Sequence, residues 1–156
     1  MDLSPTFLHK LKKVLLLFYT IFMLWLLFGR NRGGAVENYW EQLDEHMILT
    51  PFQTIRSFLR SLQHGSLTQK RLAIVNLVGN VIMFVPLGFF VPILWKRTRK
   101  FGWHIMMMAL IIFVVELTQL FTLLGTCDVD DLLLNLVGTT MGFCLWKLGL
   151  WIENKK

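Results

Sequence analysis

The chain is short of the residues that carry most enzyme chemistry. Its 156 residues include two cysteines and four histidines, and His9, His46, His64 and His104 are too scattered for a transition-metal site. Cys127 and Cys144 fall about 25 Å apart on one helix by rise alone, so they cannot bridge each other. No Ser/His or Cys/His pair and no phosphate-cradling glycine loop is present, which removes the common nucleophilic and nucleotide-dependent mechanisms. Charge is also scarce, at 17% of residues, while 54% are hydrophobic, with thirteen Phe and eight Met. A soluble domain of this size has more charge and less apolar surface to hide.

Long apolar runs are abundant instead. Four of them, near Leu11 to Phe28, Leu72 to Leu94, Trp103 to Leu124 and Leu132 to Ile152, each suit a hydrocarbon core that takes about 20 helical residues to cross. The expected fold is an all-α membrane protein, a bundle of four transmembrane helices in a single domain over 1–156. Lys10, Lys12 and Lys13 precede the first run as in a signal peptide, but Arg30 and Arg32 follow it with no small-x-small cleavage site, so it reads as a retained anchor. Lys96, Arg97, Arg99 and Lys100 fill the second connection and Lys155 and Lys156 end the chain, whereas the third connection carries only Asp128, Asp130 and Asp131. The positive-inside rule then makes both termini and the basic loop cytoplasmic. Arg30, Arg32, Arg56, Arg60, Lys70 and Arg71 run against this, in a loop long enough for the rule to weaken. The net charge of +6 is a membrane-surface signal, attracting anionic lipid at the inner face. Nothing points to nucleic acid.

Within the apolar spans sit polar side chains that hydrocarbon penalises: Asn76 and Asn80, Glu116 and Gln119, and Asn135. By helical rise, Asn76 and Asn135 lie roughly 6 Å and Asn80 and Glu116 roughly 12 to 14 Å from the outer ends, in one membrane half. Asn76 with Asn80 and Glu116 with Gln119 are spaced to share helix faces. Asp131, Asn135, Gly138, Gly142 and Gly149 form one stripe, in which Gly138 and Gly142 permit close helix approach. Three such faces together build an outer polar pocket lined by Asn80, Glu116, Gln119, Asp131 and Asn135; alternatively they are interhelical hydrogen bonds that hold the bundle together. In Cys127-Asp128-Val129-Asp130-Asp131, Asp128 with Asp131 resembles a capping pair for the last helix. The same three acids at a pocket mouth suit a hard cation such as Mg²⁺ or Ca²⁺, or an amine or hydroxyl group of a substrate. No resident metal or other cofactor is expected.

The first loop has structure of its own. Thr50-Pro51-Phe52-Gln53 supplies an N-cap, a first-turn proline and a Gln at the third position, the start signal for a helix over about 51–63. Phe52, Ile55, Phe58, Leu59 and Leu62 recur on one face with Arg56, Arg60 and Gln63 opposite. That pattern predicts an amphipathic helix in the outer interface, a cover for the bundle or a lid on the pocket. Glu37, Glu41, Asp44 and Glu45 upstream read as solvated. Pro86 and Pro92 interrupt the second span and predict a kink near Val85.

Leu49-Thr50-Pro51-Phe52, Asn80 followed by Phe84-Val85-Pro86-Leu87-Gly88, Glu116-x-x-Gln119, and Asp128-Val129-Asp130-Asp131 leading to Asn135, Gly138 and Gly142 together resemble the VanZ family, over residues 11 to 152. That family comprises small bacterial membrane proteins, and its name-giving member is associated with low-level teicoplanin resistance. The resemblance implies a cell-envelope role in a bacterial membrane and supplies no catalytic residue. The reading it suits best is a non-enzymatic protein whose outer pocket, with Asp128 and Asp130 at its mouth, binds a lipid headgroup, glycolipid or lipoglycopeptide antibiotic. The others are an intramembrane enzyme acting on a lipid-linked cell-wall precursor with Glu116 as general base, and a proton-coupled transporter that needs a homodimer, formed through the glycine stripe.

Overall fold

The computed structural model describes residues 4–29 and 38–155; Arg30, Arg32, Glu37 and Lys156 of the charge argument lie outside the described residues. Six α-helices are described: α1 (Pro5–Phe28), α2 (Tyr39–Glu45), α3 (Gln53–His64), α4 (Leu67–Leu94), α5 (Phe101–Thr122) and α6 (Val129–Glu153), with two short strands, β1 (Met47–Ile48) and β2 (Cys127–Asp128). Of these, α1, α4, α5 and α6 are long and apolar enough to cross a membrane, and the protein is an all-α, multi-pass membrane bundle.

All four of these helices start earlier than their apolar runs, and at three of them a side-chain cap and not hydrophobicity decides where the helix begins. Ser4 accepts from the Phe7 amide ahead of α1. At α4, Ser66 accepts from Gln69 N while the Gln69 side chain accepts from Ser66 N, so the polar turn Leu67–Arg71 joins the helix five residues before Leu72. Asp128 opens α6 by accepting from Asp130 N at 2.8 Å.

The core lies where α1, α4 and α5 meet: Leu16 and Met23, Phe84, Leu87 and Val91, and Met108 and Ile112. Outward, α1 shows Leu17, Phe18 and Trp25 at 60–67% exposure, the surface of a helix solvated by lipid rather than by water. The tightest pairing is α4 with α6. A Cβ placed on Gly138 would lie 2.1 Å from the Val81 carbonyl oxygen, one on Gly142 2.0 Å from that of Val85, and one on Gly88 2.1 Å from that of Thr139. Gly138 and Gly142 therefore face α4 of the same chain, and Gly149, the last of the stripe, has open space.

Helix α4 runs unbroken through Pro86 and Pro92. Next to the turn loosened by Pro86, the Tyr19 hydroxyl of α1 donates to the Met83 carbonyl. Tyr19→Phe removes this tie between α1 and α4 and is expected to cost about 1 kcal/mol. Hydrogen exchange in detergent should then rise in α1 and not in α6; unchanged exchange in α1 would show that the bond does not hold that helix.

At the other end of the bundle from the basic turn at Lys96–Arg99, β1 and β2 pair in parallel, Met47 with Cys127 and Ile48 with Asp128. Cys127 N donates to His46 O at 2.8 Å, and the Tyr39 hydroxyl donates to Phe121 O at 2.9 Å. These contacts lay the first loop directly on the acidic loop.

Candidate acidic binding site

The two loop motifs meet through one side chain. The backbone amides of Phe52 and Ile55 donate to Oδ1 and Oδ2 of Asp130 at 2.6 and 3.0 Å, so a carboxylate 78 residues later in the chain caps α3. The expected local start is thereby corrected. Thr50 is not the cap and Pro51 is not in the helix; the two belong to a turn closed by Gln53 N donating to Thr50 O at 3.3 Å, and α3 begins at Gln53. Phe52, third in that turn, has φ 63° and ψ 10°. This is the left-handed region, which a type II turn demands of its third residue and which normally calls for glycine. A charge-assisted bond from that residue's own amide offsets the strain. On α3, Ile55, Phe58 and Leu62 turn half-buried toward the bundle, while Phe52 and Leu59 stay exposed with Arg56 and Arg60.

Behind Asp130 lies a relay of acids. Asp128 accepts from Asp130 N, and Asp128 N in turn donates to Glu116 Oε2 at 3.2 Å. Asp131 is not the partner in a capping pair with Asp128: its Oδ1 accepts from Asn80 Nδ2 of α4 at 2.5 Å. Glu116 and Asp128 are 3% exposed, Asp130 0% and Asn135 2%; Asp131 and Asn80 are half-buried. The titratable neighbours of Glu116 are Asp131 and Asp128, and those of Asp131 are Asp128 and Asp130, acidic side chains in every case. Asn135, one turn beyond Asp131 on α6, keeps a buried Oδ1 with no donor. Outside the spans, burial with Glu116 and Asp128 close by pushes the Cys127 thiol up, leaving little thiolate to react.

Of the residues expected to line or border a pocket, Asn80, Glu116, Asp131 and Asn135 stand at this end of the bundle together with the buried Asp128 and Asp130. Gln119 has a different partner: its Nε2 donates to Leu27 O at 3.2 Å, closing the last turn of α1. Asn76 is half-buried with no hydrogen bond among the described residues. Phe84 is fully buried in the core, while Gly88 lies in the α4 surface that receives α6 and Pro86 is half-buried. No group of three or more His, Cys, Asp and Glu side chains among the described residues is arranged to hold a metal ion. Sequence reasoning missed the backbone amides of Phe52 and Ile55 and the β1–β2 pair. The one signal that could have found them is the pairing of a turn at Pro51, without a glycine third, with a surplus of acids in the other loop.

No curated protein and no solved structure matches the chain. The model of one family, VanZ/LLP1, matches residues 16–151, a stretch that holds α3, the acidic loop and the whole α4–α6 interface. The chain belongs to the VanZ-like family.

Proposed function

We propose that the acidic end of this bundle faces the exterior of a bacterial cell and binds the head of an amphiphile, a lipid headgroup, glycolipid or lipoglycopeptide, and that the protein contributes through that binding to glycopeptide resistance of the teicoplanin type. The observation that carries the reading is a buried amide oxygen without a donor on the turn next to a cluster of four acidic side chains. Among the described residues Asn135 Oδ1 has no hydrogen-bond partner, and Glu116 and Asp131 at the same end of the bundle each accept from one donor. Buried polar atoms are nearly always paired, and an unpaired one marks a place where another molecule completes the set. The surroundings suit an amphiphile: the site adjoins a lipid-facing bundle, and α3 lies over it with Arg56 and Arg60 exposed where phosphate groups run. Lys96, Arg97, Arg99 and Lys100 at the opposite end support the orientation by the positive-inside rule.

Glu116→Gln and Asp131→Asn keep volume and one acceptor each, so both proteins are expected to reach the membrane at normal levels. Each should lose about tenfold or more in binding, the worth of one charge-assisted hydrogen bond in a buried site, and lower resistance with it. Wild-type binding and resistance in both variants would remove the acidic site from the proposal.

A further inference from the structure

The end of the bundle opposite the acids carries its cations in different ways. Helices α4 and α6 run in the same direction, Val81 beside Gly138 and Val85 beside Gly142, so the turn at Lys96–Arg99 and the last turns of α6 share this end. Arg99 is spent on the protein itself, its Nε donating to Pro92 O at 3.2 Å. Two other cations are seated on aromatic rings. Arg97 Cζ lies 5.3 Å from the centroid of the Trp103 ring, and Lys147 Nζ lies 5.9 Å from that of Phe143 and 5.4 Å from that of Trp146. Both belong to one level, the first turn of α5. Trp103 is in that turn, and the Phe143 ring meets the Phe101 ring at 5.4 Å and the His104 ring at 4.8 Å. Phe101 and Trp103, two residues apart, point about 200° from each other around the helix. The two cations therefore flank α5 on opposite sides.

Neither has an acid to pair with. The chain holds no Asp or Glu between Glu45 and Glu116 and none between Asp131 and Glu153, and no ion pair forms among the described residues. A ring face attracts a cation but offers no lone pair, so the N–H donors of both side chains are left for another acceptor. Both cations are exposed. Lys147 holds its ammonium over a ring one turn back from it along α6, with the exposed Leu145 and Leu148 next to it on the helix. A cation in that setting takes its counter-charge from the lipid.

We infer that the start of α5 binds the phosphates of anionic phospholipids, one head against Arg97 on the Trp103 flank and one against Lys147 on the α6 flank. The inference concerns the opposite end from the acidic site and stands whether or not that site binds an amphiphile. The occupant is a lipid, because Trp103, Leu145 and Leu148 border the cations with exposed apolar surface for acyl chains. Arginine and lysine suit phosphate through charge-assisted bonds, and a side chain already held on a ring gives up less freedom on binding than one without such a seat.

The full chain in detergent is titrated with phosphatidylglycerol, phosphatidylcholine or inorganic phosphate, and bound lipid is counted by native mass spectrometry. Wild type is expected to retain two phosphatidylglycerols, each about tenfold more tightly than phosphatidylcholine. Arg97→Gln and Lys147→Gln should each retain one and the double substitution none, with melting temperatures near wild type. Lys147→Arg, which keeps the charge, should retain both. Lys13→Gln on α1 removes the same unit of charge from an exposed lysine without a ring contact and should also retain both. Equal binding of the two lipids, a full complement in the double substitution, or a loss in Lys13→Gln as large as in Lys147→Gln overturns the inference, the last by reducing it to net charge. Displacement of the lipid by millimolar inorganic phosphate would overturn the choice of a lipid as occupant.

Discussion

Gly142→Val is expected to prevent the bundle from assembling. The nearest atom to a Cβ at this position is a backbone oxygen, Val85 O at 2.0 Å, followed by Phe89 N at 2.7 Å, and none of these can rotate away as a side chain end would. The carbonyl is fixed by its own helix, so α4 and α6 must move apart by an ångström or more along the seam that Gly88 and Gly138 also define. Overpacking a core costs about 1–3 kcal/mol when side chains can yield, and here only backbones are available to yield. Loss of folded protein on detergent size-exclusion is the expected readout. Gly142→Ala should melt well below wild type, whereas Gly149→Val, with nothing within 4 Å, should be close to silent. An alanine variant that melts like wild type would mean that the two helices are not held at this separation.

The parts of the molecule that bilayer physics dictates were legible from residues alone. Four apolar runs became four helices because a segment in hydrocarbon has to satisfy its own backbone, and the Gly138/Gly142 spacing marked a close contact. Which helix would fill that contact was not legible, since small residues say how near a neighbour comes and nothing about which neighbour it is. Lipid-facing positions were equally hidden: α1 is apolar all round, so its buried Leu16 and Met23 look no different in sequence from its exposed Leu17 and Phe18.

The acidic site was half legible, for reasons of range. Depth along the helices set Asn80 and Glu116 toward one end of the bundle, where the structure has them, but not the bond between Asn80 and Asp131. Gln119 was misplaced because three residues turn a helix by about 300° rather than a full circle, and the remaining angle is enough to aim a long side chain at Leu27 O on α1 instead of into the cluster. The start of α3 was misread because capping rules look for an acceptor within the same few residues, whereas this one comes from Asp130 in the other loop. Two-residue strands such as β1 and β2 carry no pattern to read.

Asp130→Ala is expected to release α3 from the bundle. The side chain is fully buried and accepts from two backbone amides, and its loss leaves both donors without this acceptor beside a phenylalanine at φ 63°. Hydrogen bonds to a charged group are worth about 1.5–3 kcal/mol each, so a loss of about 3 kcal/mol or more is expected. It should be localised: exchange and proteolysis rise across Gln53–His64, while α5 and the lower part of α6 stay protected. Asp130→Asn retains one acceptor but turns an NH₂ toward a donor, and should sit between alanine and wild type. Phe52→Gly tests the coupling, because glycine holds the left-handed turn without strain. In the Asp130→Asn background it should recover part of the lost protection, and the two substitutions together should cost less than their sum. Strict additivity, or an α3 as protected in Asp130→Ala as in wild type, would show that the first loop is held by β1–β2 and apolar contact alone. If α3 does loosen, ligand binding at Glu116 and Asp131 should weaken without any change to those residues, which makes Asp130 the physical link between the cover and the site beneath it.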